Sequence, residues 1–434
     1  MNRRIEQAVH CSDASPSKRY TSLRNYIFWS TLTGIFSEGF FIQIPFHILL
    51  FYGIMLVNIF LILLLVDFMR IYVWMLCLVL YLAMSGCVGI VNGTDTIAQT
   101  TKELLGISVT LLYFHYFFRM IRNDFEHAFS TYAKIAFWFA IIALTMWAGT
   151  CIYFHRYERL RGLTSEPGAF CEIVLPAYYW YTYLYFASRK HGAKVLVFTL
   201  AILLSSSSLG YLCVAFGAML LLSGRMKNLV AVPIVAGAVL ALAYTASSDF
   251  RMRADDTLLA LSTRDVTGAN LSTFALISNV FVTQKVLEES PVIGNGLGSH
   301  PISHARFIGN VPGVESHIGD EWADSNATEA ASLTLRALSE LGILGFSGLL
   351  VFLFYFHAGG AGSRAGISNA ILVCFFLKLI RDGNYFGPEQ FFFIFIYILN
   401  HRQYKLEGRS IARRASSRLS MRPLGTCFSS GSQQ

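Results

Sequence analysis

The sequence predicts an all-α polytopic membrane protein of about twelve transmembrane helices, with one large insert on its outer face. Three observations carry this. Hydrophobic residues make up 54% of the 434 and charged residues 14%, where a soluble chain carries about 25% charged. Apolar runs of roughly 20 residues recur along most of the length, each long enough to cross a ~30 Å hydrocarbon core. The formal charge of +8 gathers in the two tails and a few short loops, the pattern of cytoplasmic segments, so nucleic-acid binding is a poor reading of it.

The chain opens on a basic tail, 1–24, with no apolar h-region, so no cleaved signal peptide is expected. Transmembrane helices 1–9 occupy 25–246, with spans at 25–44, 46–67, 71–91, 103–120, 129–152, 168–187, 195–206, 208–223 and 229–246. The insert covers 247–332. Helices 10–12 follow in 333–401, at 333–356, 366–380 and 388–401, and a Ser/Arg-rich tail, 402–434, reads as disordered. Arg3, Arg4, Lys18, Arg19 and Arg24 set the N-terminus in the cytoplasm. Alternation then places Arg70, Arg119, Arg122, "SRKHGAK", "GRMKN" and the basic C-terminal tail inside as well.

One segment tests this topology. "KVLVFTLAILLSSSSLGYLCVAFGAMLLLSG" (194–224) is either one long helix or two short ones around "SSSSLG". A hairpin keeps both flanking basic loops inside and is preferred. Spans broken by Ser and Gly are tolerated where backbone polar groups are buried in protein or face water, which hints at a nearby cavity.

The outer face then holds the insert and the segment "RYERLRGLTSEPGAF" (156–170), where Arg156, Arg159 and Arg161 crowd with Glu158 and Glu166. Arginine suits phosphate because its planar fork donates two parallel hydrogen bonds and stays charged. Snorkelling to lipid phosphates is the plainer alternative for Arg156 and Arg159. Glu166 opens the next helix, either as a cap favoured by the macrodipole or as a general base toward a sugar hydroxyl. Within the insert, 256–290 has helical apolar spacing, suited to the membrane surface or to capping a cavity. "PVIGNGLGSHPISH" (291–304) brings glycines beside His300 and His304. "HIGDEWADSNA" sets His317, Asp320, Glu321 and Asp324 close together, as a solvated acidic loop or as metal ligands of no specific pattern.

Later, Arg336 and Glu340 lie four apart on one helix face, and Lys378, Arg381, Asp382 and Glu389 bracket a short outer turn. Ionisable residues at membrane depth are functional candidates, with helix-end anchoring the alternative for Lys378. The eight cysteines show no CxxC spacing. Cys151 and Cys171 fall on one membrane face, where two apolar-packed thiols are favoured over a pair. No phosphate-binding glycine loop is present, so nucleotide hydrolysis is not expected.

Taken together, "RGLTSEPGAF", "LSTFALISNVFVTQKVLEESPVIGNGLGSH", "SELGILGFSGLL" and "LIRDGNYFGPEQFFF" resemble the bacterial O-antigen polymerase and O-antigen ligase superfamily, nearest its exopolysaccharide and capsule repeat-unit polymerases. The likeness covers residues 25 to 401. It implies a GT-C-like glycosyltransferase of the inner membrane, both termini cytoplasmic, with the insert in the periplasm. The partners implied are undecaprenyl-pyrophosphate-linked glycans as donor and acceptor, together with the chain-length regulator and flippase of the same pathway, and no metal or cofactor. Arg161 and Arg264 match the family's pyrophosphate-binding arginines, with Arg159, Arg336 and Arg381 as further candidates, and Glu166 matches its SEP glutamate. Ligases carry a histidine shortly before "ELG" (340–342). Here the counted position is Ala331, followed by Ser332, which argues against a ligase and leaves His300, His304 and His317 as substitute bases. A lipid-linked oligosaccharide flippase is the remaining alternative, but its usual symmetry between halves is missing.

Overall fold

The structure is a computed structural model and describes residues 18–43, 47–65, 71–155, 157–212, 214–215, 237–238, 240–242, 244–245, 248–263, 265–317, 324, 326–360 and 362–420. Helices dominate it: α1 (Lys18–Gly34), α2 (Leu50–Leu65), α3 (Val73–Val91), α4 (Ile97–Met120), α5 (Phe125–Phe154), α6 (Pro167–Ser188), α7 (Gly192–Leu204), α8 (Ser248–Thr263), α9 (Leu271–Glu289), α10 (His300–Phe307), α11 (Leu333–Tyr355), α12 (Ser363–Ile380) and α13 (Pro388–Ser420). Between α1 and α2 lies a short antiparallel ribbon, β1 (Phe41–Gln43) with β2 (His47–Leu49), in the register Phe41 opposite Leu49.

Among the described residues four helices are long and apolar enough to cross a membrane: Val73–Val91, Phe125–Phe154, Leu333–Tyr355 and Ser363–Ile380. Their surroundings differ. The apolar windows of α3 and α5 are 22% buried and that of α11 33%, whereas that of α12 is 61% buried. The first three therefore present bare apolar flanks, with Val73, Leu76, Met84, Val351 and Phe354 more than half exposed, as a lipid-facing surface requires. Helix α12 is central. It packs along α6, where Gly366 brings the backbone against the Tyr183 ring, and against α13, whose residues Phe391, Phe392, Phe393, Ile396 and Tyr397 are all buried. Small residues at such contacts let helices approach closely where lipid offers no hydrophobic gain.

Polar cross-links sit inside this apolar frame. Asn58 of α2 donates to the Tyr113 hydroxyl of α4 at 3.0 Å, and Tyr113 meets Thr31 of α1 at 2.5 Å. Pro176 interrupts the amide ladder of α6, and the Tyr132 hydroxyl donates to the Ile173 carbonyl in the turn ahead of it.

Several sequence expectations are revised. The span expected at 25–44 ends as a helix at Gly34; turns follow, and Phe41–Gln43 form β1 instead. Helix α13 runs on to Ser420, through the first part of the tail expected to be disordered. The helical pattern of 256–290 is two helices, broken where Gly268 takes φ 72° and Asn270 caps α9 by accepting from the Ser272 and Thr273 amides. Helix α9 packs on α11 and is not confined to a membrane surface. The span expected at 195–206 ends at Leu204, and a new helical turn starts at residue 208, so "SSSS" does break the run. Most of the spans expected at 208–223 and 229–246, Arg70 and "GRMKN" lie outside the described residues. Cys151 and Cys171 are both free, and Cys171 faces the Ser205 hydroxyl at 3.4 Å.

Candidate functional site

The break in the seventh helix explains the arginine-rich segment. A helix end leaves carbonyls without amide partners. Here the Leu204 carbonyl accepts from the Leu160 amide at 3.0 Å and the Tyr157 hydroxyl at 2.9 Å. Arg159 donates to the Ser206 carbonyl at 2.9 Å and to Ser205 at 3.3 Å. A guanidinium at a helix C-terminus also complements the dipole. Leu160 is buried and Gly162 turns the chain at φ 58°, which leaves Arg161 exposed with no side-chain hydrogen bond or ion pair among the described residues. The SEP turn follows. Glu38 clamps it by accepting from the Ser165 amide at 3.0 Å and hydroxyl at 2.6 Å.

Beside this turn opens a cavity of about 810 Å³, lined from α2, α4, the SEP turn, α6, α8, the start of α9, the 326–329 turn, α11 and the α12–α13 turn. Its walls are densely ionic, with Lys102, Arg159, Arg253, Arg336 and Arg381 facing Glu38, Glu103, Glu166, Glu172, Glu329, Asp382 and Glu389.

Two buried cations anchor that wall. Arg336, only 3% exposed, bridges Glu103 at 2.9 Å and Glu340 at 3.1 Å, donates to the Gly383 carbonyl at 3.0 Å, and stacks over the Tyr385 ring at 4.2 Å. Lys378 is fully buried and meets Glu389 at 2.7 Å, Glu172 at 3.5 Å and Asp382. The carboxylates of Glu172, Asp382 and Glu389 lie within 4.8 Å of one another. They are the only described trio gathered in this way, and the Lys378 ammonium holds the position a metal ion would take.

The turn between α12 and α13 is shaped to fit. Asp382 accepts from the Asn384 amide at 2.9 Å and Asn384 from the Phe386 amide at 3.0 Å, two consecutive side-chain turns. A side chain at Gly383 would collide with the Glu329 carbonyl. The cations that remain toward the opening are Lys102, which is exposed with no ion pair among the described residues, and Arg381, whose one hydrogen bond among them is a 3.5 Å contact to the Ser272 carbonyl.

Of the residues singled out in the sequence, Glu166, Arg159, Arg336, Arg381, Asp382 and Glu389 reach the cavity, and Arg161 does not. Glu166 stands at the N-cap of α6, but its side chain makes no capping bond, so the carboxylate is left to the cavity. Arg336 is held by two carboxylates, which removes it from the free phosphate ligands. Arg264, Arg156, Asp320 and Glu321 lie outside the described residues.

His300 and His304 are buried in α10 and do not line the cavity. His300 Nε2 lies 2.8 Å from the Asn279 oxygen and Nδ1 lies 2.9 Å from the Ser339 hydroxyl. Since a carbonyl oxygen only accepts, Nε2 carries the proton and Ser339 donates to Nδ1. Burial holds the His300 pKa well below the usual imidazole range, helped by His304 and Arg336, and burial lowers His304 as well. His300 is a neutral cross-link between α9 and α11, which corrects its expected catalytic role.

The glycine loop before it docks through its backbone. Asn295 and Gly296 donate to the Ser339 and Glu340 carbonyls, and Ile343 and Leu344 donate to Pro291 and Val292, all at 2.9–3.0 Å. This pairing opens α11 at Gly342 (φ 65°, ψ −167°), where a Cβ would strike the Val292 backbone. The opened turn sits just beyond Arg336 and Glu340.

Sequence reasoning missed Glu329, Glu103 and Glu172. Glu329 is half-buried at the cavity wall with no side-chain hydrogen bond among the described residues. Burial raises its pKa, Asp382 adds to the rise, and Arg336 and Lys378 partly offset it. Comparison with protein families, curated proteins and solved structures finds no match to this chain.

Proposed function

We propose that the protein is a membrane-embedded glycosyltransferase that polymerises undecaprenyl-pyrophosphate-linked oligosaccharide repeat units at the periplasmic face of the bacterial inner membrane. The observation that carries this reading is convergence. Three of the four segments that resemble the polymerase superfamily, far apart in sequence, contribute to one ionic cavity: Glu166 from the SEP turn, Leu271 and Ser272 from the head of α9, and Arg381 to Glu389 from the last turn, joined by Arg336 of α11, which stands three residues before the fourth. About twelve spans, a GT-C-like arrangement and cytoplasmic termini belong to the same reading.

In this mechanism the acceptor's sugar hydroxyl attacks the anomeric carbon of the donor chain. A new C–O bond forms, the anomeric C–O bond to pyrophosphate breaks, and undecaprenyl pyrophosphate leaves with the electron pair. Glu329, ionised, takes the hydroxyl proton. Arg381 and Lys102 hold the pyrophosphate and stabilise the charge that grows on it, while Arg159 and Glu166 orient the sugars at the SEP turn. Arg336 and Lys378 keep the acidic wall in place.

The test is reconstitution. Purified full-length protein in liposomes, given lipid-linked single repeats, should build a ladder of longer lipid-linked chains. Glu329→Gln should slow the ladder's growth severely in folded protein, and Arg381→Gln should restore it only at much higher donor concentration. Single repeats left unconverted by folded wild-type protein would refute the reading.

A further inference from the structure

A second charged site lies at the far end of the bundle. Arg119, in the last turn of α4, and Arg402, in α13, converge on the Tyr72 ring at 5.9 and 5.2 Å, and Arg402 donates to the Tyr72 hydroxyl at 3.3 Å. They share a small cleft with Trp74, Asn123 and Phe395, and no carboxylate among the described residues lines it. The Nε of Arg119 is buried with no hydrogen-bond partner among the described residues. Two guanidiniums gathered on one ring with no counter-charge among the described residues repel one another, and a buried donor left unpaired is costly. An anion in the cleft would answer both.

Position identifies the anion's source. Arg119 follows Lys102 by 17 residues on α4 and Arg402 follows Glu389 by 13 on α13, so at 1.5 Å per residue the cleft is about 20–25 Å along the helices from the ionic cavity. On the reading that these helices span a membrane, the cavity and the cleft occupy opposite headgroup layers. Beside the cleft, Val73 and Leu76 of α3 are 76% and 57% exposed, an apolar track suited to acyl chains. Trp74 stands at its rim, where interfacial aromatics gather. Arg402, Lys405 and Arg409 continue the positive charge along the exposed face of α13.

We infer that the cleft formed by Arg119, Arg402 and Tyr72 binds the phosphate of an anionic phospholipid of the cytoplasmic leaflet. A phosphodiester accepts from both guanidinium forks, and its chains lie along α3. Basic pockets between helices on this side of a membrane recognise such headgroups. The inference rests on the transmembrane reading but not on the glycosyltransferase chemistry, because it is measured by lipid binding alone.

The experiment is native mass spectrometry of the full-length protein released from detergent with phosphatidylglycerol or with phosphatidylethanolamine of the same chains. Wild type should retain phosphatidylglycerol selectively. Arg119→Gln with Arg402→Gln should weaken retention about tenfold or more, the loss expected of charge-assisted bonds, while Arg409→Gln should change it little. Equal retention by the double variant, equal loss in Arg409→Gln, or equal retention of both lipids would overturn the inference. So would displacement of the lipid by inorganic phosphate alone. Should the double variant fail to fold, a photoreactive phosphatidylglycerol added to wild type decides. Crosslinks within 71–76 and 398–402 support the site, and crosslinks confined to other residues overturn it.

Discussion

Arg336 offers the sharpest test of the packing, because its environment assigns it a structural charge-balancing role. Its side chain is 3% exposed and stands between Glu103 (4%) and Glu340 (0%). Replacing it by Gln removes the shared cation and strands two buried carboxylates. It also removes the bond to the Gly383 carbonyl and the stacking on Tyr385. Breaking one buried pair by deleting a partner costs about 3–5 kcal/mol, and two stranded partners put this case at the upper end. For a chain of this size each kcal/mol moves the midpoint about 2 °C, so Arg336→Gln should melt roughly 8–10 °C lower in detergent, followed by tryptophan fluorescence. The companion variant Arg336→Met with Glu103→Gln and Glu340→Gln should recover most of that, since neutral isosteres of a buried triad are often tolerated. A drop of about 1 °C or less in the single variant, or a triple variant as unstable as the single, would refute the charge-balance argument.

Three further outcomes follow from the geometry. Glu329→Gln should lower turnover by about 10²–10⁴, the usual share of a general base. Because burial raises the Glu329 pKa in the folded protein, its stabilising contribution is complete below the unfolded value and lost as pH rises through the folded one. The Gln variant should therefore match wild type in acid and melt higher at neutral pH. A neutral-pH melting point below wild type would contradict that sign. Gly342→Ala forces a Cβ into the Val292 backbone at φ 65° and should cost about 1–3 kcal/mol or more, read as a lower melting point and faster proteolysis within 291–304. Unchanged values would mean that the opened turn is dispensable. Arg381→Gln should raise the KM for the lipid-linked donor far more than Arg161→Gln, because only Arg381 lines the cavity. The reverse order would return Arg161 to the site.

How much was legible in the sequence varied with the range of the interaction. The helices at Val73–Val91, Pro167–Ser188, Leu333–Tyr355 and Ser363–Ile380 lie close to the apolar runs that announced them, because long runs bounded by polar or Pro/Gly positions are unambiguous. The run "FFIQI" is not, since a short apolar segment has no period that separates strand from helix. Residue type drew attention to His300, whose partners Asn279 and Ser339 come from other helices and make it structural. Arg161 stood out for its motif, but one buried leucine and one left-handed glycine point it away from the cavity. Glu329 and Glu172 carried no local signal. Both become candidates only when the fold brings Asp382, Lys378 and Arg336 beside them, and the Lys378 cage likewise joins positions 172, 382 and 389.

The most direct test of the central claim is the size and sidedness of lipid-linked glycan in cells lacking this protein. The account predicts single repeat units accumulating on undecaprenyl pyrophosphate at the periplasmic face. Long chains stranded on that lipid would instead mean a ligase, single units held at the cytoplasmic face a flippase, and unchanged glycan would contradict the account altogether.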